Sequence, residues 1–323
     1  MTLESALQAH QSGAFTEAES AYRALLKREP QQVQIRFLLG TCLLQQNRFE
    51  ESIAILEPLT EQPTAGADIF NNLGIAYRAT GNLEAAISSF QQAIKSNPDY
   101  SQAYFNLGEL LETGNAVKEA AQCYRKSLEL TPNDYQAGAA FARVLTRLKN
   151  WSDAENIYRQ LLTADPHNEE NQIQLAFVLA SSRRVEEALA IYQDILTHKP
   201  DYAEILSSVC FLHERLGQFS EARQHALQSL KVKPDYAEGW NNLGSVALAE
   251  HSPVEALEHF QKASELSPDL PIIRFNIGTT HLLLENYETG WQEYEYRLQL
   301  MPSRIPRYAD QNWLGDPIPE NAY

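Results

Sequence analysis

The chain has 323 residues, with 42 Asp and Glu against 26 Lys and Arg and a net charge of −16. That balance argues against a nucleic-acid partner, whose phosphates require clustered Lys and Arg, and against an anionic membrane surface. No run approaches the roughly 18 apolar residues of a membrane span, and the opening MTLESALQAHQSG lacks a basic region followed by an apolar core, so a cytoplasmic protein without membrane insertion is expected.

In chain order the sequence reads as pairs of apolar stripes at helical spacing, each pair broken by a turn and closed by a proline. The first pair occupies residues 1–32, lacks the start of its first helix, and has Ala18, Tyr22, Leu25 and Pro30 in place. A short end repeat suits a face that has no neighbour to cover it. The second pair is irregular. Pro58 falls where its second helix should still be running, its closing proline slips to Pro63, and Thr60 to Gly66 reads as a loop. This gives an expected boundary, or hinge, separating residues 1–66 from residues 67–304; a locally shortened helix is the alternative.

The third pair, Ala67 to Tyr100, shows the full unit. Leu73, Ile75, Ala76 and Tyr77 form one stripe; Thr80-Gly81-Asn82 interrupts it; Leu83, Ala86, Ile87, Phe90, Ala93 and Ile94 form the next; Asn97-Pro98 closes it. From there Pro98, Pro132, Pro166, Pro200, Pro234, Pro268 and Pro302 recur at a constant interval of 34. Internal turns fall at Gly81, Gly114-Asn115, Lys149-Asn150, Ser181-Ser182, Gly217 and His251-Ser252-Pro253. A fixed period of this length predicts an all-α array of stacked helix pairs, nine copies over residues 1–304, with boundaries near 32, 66, 100, 134, 168, 202, 236 and 270. Residues 305–323 have no period and several prolines, and are expected to form an extended tail.

Two slots are small throughout. The Gly74 slot holds Ala6, Gly40, Gly108, Ala142, Ala176, Cys210, Gly244 and Gly278; the Ala86 slot holds Ala18, Ser52, Ala120, Ala154, Ala188, Ala222, Ala256 and Gly290. Small residues are needed where two helices approach closely. The Phe90 slot is large in every copy but one, the exception being Ala226.

With Phe70, Leu73, Gly74, Tyr77, Ala86, Phe90, Ala93 and Pro98 at these offsets, the chain resembles the tetratricopeptide repeat (TPR) family. The resemblance implies a right-handed α-α superhelical solenoid and a scaffold that binds a protein or peptide partner in its concave groove. In that family the residue before Leu73 faces the groove; here the series is Asn72, Asn106, Ala140, Gln174, Ser208, Asn242 and Asn276. Carboxamides can bond both donors and acceptors of an extended backbone, as in the similar asparagine-lined superhelix of O-linked N-acetylglucosamine transferase. Copies 5 to 7 depart from that pattern, and nearby slots there turn apolar, with Ile173, Phe177 and Phe211 flanked by Phe105 and Phe275. The expected peptide-binding set is therefore Asn72, Asn106, Gln174, Asn242, Asn276, Phe105, Phe177 and Phe211. The alternative is that the asparagines bridge adjacent first helices and the phenylalanines are core. Ile75, Glu109 and Asn71 stand where the carboxylate clamp of co-chaperone relatives would need basic residues.

No phosphate-binding glycine loop, zinc-protease His-Glu-x-x-His or nucleophile elbow is present. His213 and His281 fall in the Tyr77 slot and are expected to be packing substitutes. Cys42, Cys123 and Cys210 are widely separated and form no Cys-x-x-Cys, which points to buried free thiols. No catalytic residue, metal site or cofactor is expected. Finally, the stretch Asn286 to Arg297, with Pro306-Arg307 and Trp313-Leu314-Gly315-Asp316-Pro317, resembles the junction of bacterial TPR proteins that continue into a glycosyltransferase-like domain. That resemblance implies an acceptor-recruiting region whose donor-sugar site lies outside these residues. Self-association through an end repeat is the other expected mode of interaction.

Overall fold

The computed structural model describes residues 2–63 and 65–300. All regular structure among them is helical: eighteen helices in nine antiparallel pairs, and one short additional helix. The pairs are α1 (Leu3–Gln11) and α2 (Phe15–Arg28); α3 (Val33–Gln45) and α4 (Phe49–Leu56); α5 (Ala67–Ala79) and α6 (Leu83–Ser96); α7 (Ser101–Thr113) and α8 (Val117–Leu130). They continue with α9 (Tyr135–Arg147) and α10 (Trp151–Ala164); α11 (Glu169–Ser181) and α12 (Val185–His198); α13 (Ala203–Arg215) and α14 (Phe219–Val232). The last are α15 (Ala237–Ala249) and α16 (Pro253–Leu266); α17 (Pro271–Leu283) and α18 (Tyr287–Tyr294), followed by α19 (Arg297–Leu300). From α3 onward each first helix begins one residue after an expected copy boundary. The expected tail, residues 305–323, and its Trp313 lie outside the described residues.

The periodic prolines set the helix ends. A residue before proline is disfavoured in helical geometry, and α6 accordingly stops at Ser96, with Asn97 extended at φ −141° and ψ 100° ahead of Pro98. The turn inside each pair has its own repeat. One left-handed residue occurs per copy: Gly13, Asn47, Gly81, Asn115, Lys149, Arg183, Gly217, His251 and Glu285. Glycine occupies this conformation without a Cβ penalty, whereas the Lys, Arg, His and Glu residues are strained there. In the short first copy, Thr2 and Ser5 form a reciprocal capping box that satisfies the N-terminus of α1.

The chain divides into two compact units, residues 1–178 and a second beginning at Leu179, so the division falls within α11. Within each unit, helices pack on their pair partner and on helices of adjacent copies. In the first unit Ala86 and Phe90 cluster with Leu107 and Leu110 of the next copy. In the second, Ala256, Phe260 and Ala263 do the same with Ile273 and Ile277. The expected hinge region lies inside the first unit. There α4 ends at Leu56 and a 3₁₀ turn, Glu57–Glu61, takes over with Pro58 in its first turn. Leu56, Leu59, Ile69 and Leu73 nevertheless form one cluster across this stretch, Leu59 being fully buried.

Each pair is held at a notch. A Cβ placed on Gly74 would lie 2.5 Å from the Phe90 ring; on Gly108, 2.8 Å from Tyr124; on Gly244, 2.6 Å from Phe260. The three rings are fully buried. In copy 2, Ser52 donates to the Gly40 carbonyl at 2.8 Å across the same crossing. In copy 7 the arrangement is inverted: the notch holds Cys210 and the knob is Ala226, both fully buried in one cluster.

Candidate functional site

The face presented by the first helices is organised by two registers. In the first, the carboxamide slot reaches back to the preceding first helix. Asn106 Nδ2 donates to Asn71 Oδ1 at 2.8 Å, and Asn276 Nδ2 to Asn241 Oδ1 at 2.9 Å. Asn242 Nδ2 donates to Ser207 Oγ at 2.8 Å and also to the Ser207 carbonyl, while Asn72 Nδ2 donates to Thr41 Oγ1 at 2.9 Å. Asn106 and Asn71 are 4% and 3% exposed. The asparagines therefore bridge neighbouring first helices. Asn72, Asn242 and Asn276 are half-buried, whereas Asn106 is buried. Where Asn is missing the bond turns inward to its own helix: Gln174 Nε2 donates to Glu170, and Ser208 Oγ to the Glu204 carbonyl.

The second register pairs opposite charges 31 residues apart. Arg78 bonds Glu109 at 2.8 Å, and Arg143 holds Glu112 through both nitrogens at 2.9 and 2.8 Å. Tyr124 donates its hydroxyl to the same Glu112 at 2.9 Å. Burial raises the Glu112 carboxyl, but the bonds from Arg143 and Tyr124 outweigh it and hold the group below its usual range. These pairs were not anticipated from the sequence, although opposite charges at a constant offset of 31 are a readable signal once the period is known.

Two intervals of 34 carry the Arg143 position to Phe177 and then to Phe211, so in copies 6 and 7 this register becomes aromatic. Phe177 is 49% and Phe211 48% exposed. Phe177 meets Trp151 edge-on, with centroids 6.5 Å apart. The Arg215 guanidinium stands 5.8 Å from the Phe211 ring and is itself fixed by a 2.8 Å bond to the Ala180 carbonyl. Phe105 is a different case and is corrected here: at 6% exposure it is core, its ring 5.8 Å from Tyr124. It sits four positions before the Glu109 slot, on the side of α7 that meets its own second helix.

Other reactive groups have structural surroundings. Burial pushes the Cys210 thiol up to about 12 and that of Cys123 to about 11, which makes both poor nucleophiles. His213 stacks on His225 with centroids 5.3 Å apart and donates from Nδ1 to Gln218 Oε1, 2.6 Å away. Burial, and then the His213 charge, lower the His225 pKa. No group of three or more metal-ligating side chains occurs among the described residues.

Two sequence models described as tetratricopeptide repeat match the chain, one over residues 71–135 and 212–271, the other over 9–68 and 145–209. The chain belongs to the tetratricopeptide repeat family. No curated protein matches it in sequence. Among solved structures, this TPR chain is similar to the C-terminal part of a TPR repeat-containing protein from Cytophaga hutchinsonii. That match has a TM-score of 0.55 and 13% identity, and covers 85% of this chain and 99% of the other. It is also similar to PilW, a type IV pilus biogenesis factor, with a TM-score of 0.52, 17% identity, and coverage of 64% and 96%. A chain of the APC/C hetero-tetramer Cut9–Hcn1 gives 0.50 at 15% identity, covering 82% of the TPR chain. The TPR chain spans about half, 52%, of that last protein. At these identities the likeness is one of fold.

The bridging role of the carboxamides has a direct consequence for stability. Asn106→Ala should cost about 1–3 kcal/mol in chemical unfolding, because it strands the buried Asn71 oxygen. Asn242→Ala, at a half-buried position, should cost less. Equal and negligible costs at both positions would show that the bridges carry no stability.

Proposed function

We propose that this TPR array is a non-enzymatic scaffold that binds an extended polypeptide along its first-helix face. The observation that carries the reading is the replacement of the charged register by exposed phenylalanines. Burying such a ring on binding gains about 1.5–3 kcal/mol, and aromatic anchors dominate interface energies. Phe177 in the first unit and Phe211 in the second each offer such an anchor. The half-buried Asn72, Asn242 and Asn276 supply backbone contacts beside their bridging bonds. Peptides selected from a displayed random library on the immobilised chain should lose about tenfold or more in affinity on Phe177→Ala or Phe211→Ala, with the helical circular dichroism unchanged. Undiminished binding to both variants would move the site off this face.

A second reading, that the array recruits acceptors for a glycosyltransferase domain, is favoured by α18. In the segment Gly290-Trp291-Gln292-Glu293-Tyr294-Glu295-Tyr296-Arg297 and just before it, Trp291 and Tyr287 are 57% and 58% exposed at the last copy. On this reading those rings pack against a following α/β unit. The coding sequence beyond codon 323 decides it: a strand, a glycine-rich loop and a helix are expected, and a continuation without them removes the idea. Self-association through these rings is the competing use of the same surface.

A further inference from the structure

The fourth residue of each first helix is large in seven copies: Arg36, Phe70, Tyr104, Gln172, Leu206, Trp240 and Arg274. In three of them its side chain reaches back to the carbonyl of the linker proline six residues earlier. Arg36 Nε donates to Pro30 at 2.9 Å, Gln172 Nε2 to Pro166 at 2.9 Å, and Trp240 Nε1 to Pro234 at 2.8 Å. In copy 5 the residue is Gly138. No side chain at that position can reach Pro132, and a cavity of about 610 Å³ opens between α8, α9 and α10. Its size falls in the roughly 300–1,000 Å³ range of ligand sites.

The walls are mostly apolar: Leu128 from α8, Phe141 from α9, and Ile157 and Leu161 from α10, with Pro132 at the linker. Tyr135 stands at the mouth, 58% exposed. Arg125 is also at the rim, its guanidinium 5.9 Å from the Phe141 ring. We propose that this cavity binds the indole side chain of a tryptophan from a partner polypeptide. The repeat supplies the template, because Trp240 fills the equivalent place in copy 8 and donates its N–H to the equivalent carbonyl. The apolar walls, with the Pro132 carbonyl as the acceptor that the repeat uses at this place, suit a flat ring that carries one donor; Glu129, Asn133, Asp134 and Gln160 add polar groups to the lining. The lining holds Arg125 together with Glu129 and Asp134, so charge does not separate an indole from a guanidinium here, and it is the apolar wall area that favours the flat ring. This inference is independent of the groove reading above.

The test is a methyl NMR titration of the full chain with N-acetyl-tryptophanamide. Saturable shifts are expected at the Leu128, Ile157 and Leu161 methyls. The 1-methylindole analogue, which lacks the donor, should bind about threefold or more weaker. Gly138→Gln and Gly138→Trp install the side chains of copies 6 and 8 and should abolish the shifts. A Cβ at 138 comes closest to the tip of Leu161, at 3.1 Å, which has to yield by a few tenths of an ångström, and meets Ile157 at an ordinary 3.9 Å. Absence of saturable shifts at these three methyls in the unsubstituted chain overturns the proposal without recourse to either variant. So does equal binding by a folded variant, or tighter binding of N-acetyl-argininamide.

Discussion

Everything in this chain depends on how closely two helices can approach at one point in each copy. In most copies a glycine or alanine on the first helix meets a ring on the second, and at the glycines there is no room for a further carbon, as Gly74 with Phe90 and Gly244 with Phe260 show. Close packing of this kind makes each pair rigid, since inserting even one methylene forces shifts in its surroundings. It also turns the rest of the apolar stripe outward, where only the next copy covers it. That is why Phe90 clusters with Leu107 and Leu110, and why stability should accumulate copy by copy. The prolines at intervals of 34 complete the device by ending the second helices of copies 3 to 8 before they outrun their partners.

On the first-helix face the same repetition produces polar registers, and these stop at copies 6 and 7. Carboxamide and Arg-to-Glu bonds tie successive first helices together through copies 3 to 5, and carboxamide bonds do so again in copies 8 and 9. In copies 6 and 7 those positions carry Gln174 and Ser208, which bond within their own helices, and Phe177 and Phe211, which face solvent. Each of these rings keeps one neighbour, Trp151 for Phe177 and Arg215 for Phe211, and leaves about half of its surface uncovered.

The repeat itself was legible because proline, glycine and ring positions each recur at the same interval, and three coincident periods fix the copy boundaries to the residue. Pro58 likewise announced the early end of α4. Side-chain roles were less legible where one residue type serves two purposes. Phe105 and Phe177 look alike in a list of apolar residues, yet one precedes the Glu109 slot by four positions and is core, while the other occupies that slot's equivalent and is exposed. The asparagines read equally well as ligands or as bridges, and the cross-copy offsets of 31 and 35 had to be seen in space before their partners were known. The left-handed turns at Lys149, Arg183 and Glu285 carry no signal, since nothing about a long charged side chain announces positive φ. The exceptional Cys210 and Ala226 were each visible, but their compensation was not, because it is a contact between two slots 16 residues apart.

That compensation gives the most direct test of the interlocking contact. The measurement is a double-mutant cycle on unfolding free energy at these two positions. Ala226→Phe alone should cost about 1–3 kcal/mol, since the ring meets Cys210 in a full notch. Combining it with Cys210→Gly recreates the pair seen at Gly74 and Phe90, and should recover at least about 1 kcal/mol through coupling of the two sites. Strictly additive costs would contradict the account, because they would mean that notch and knob do not sense each other.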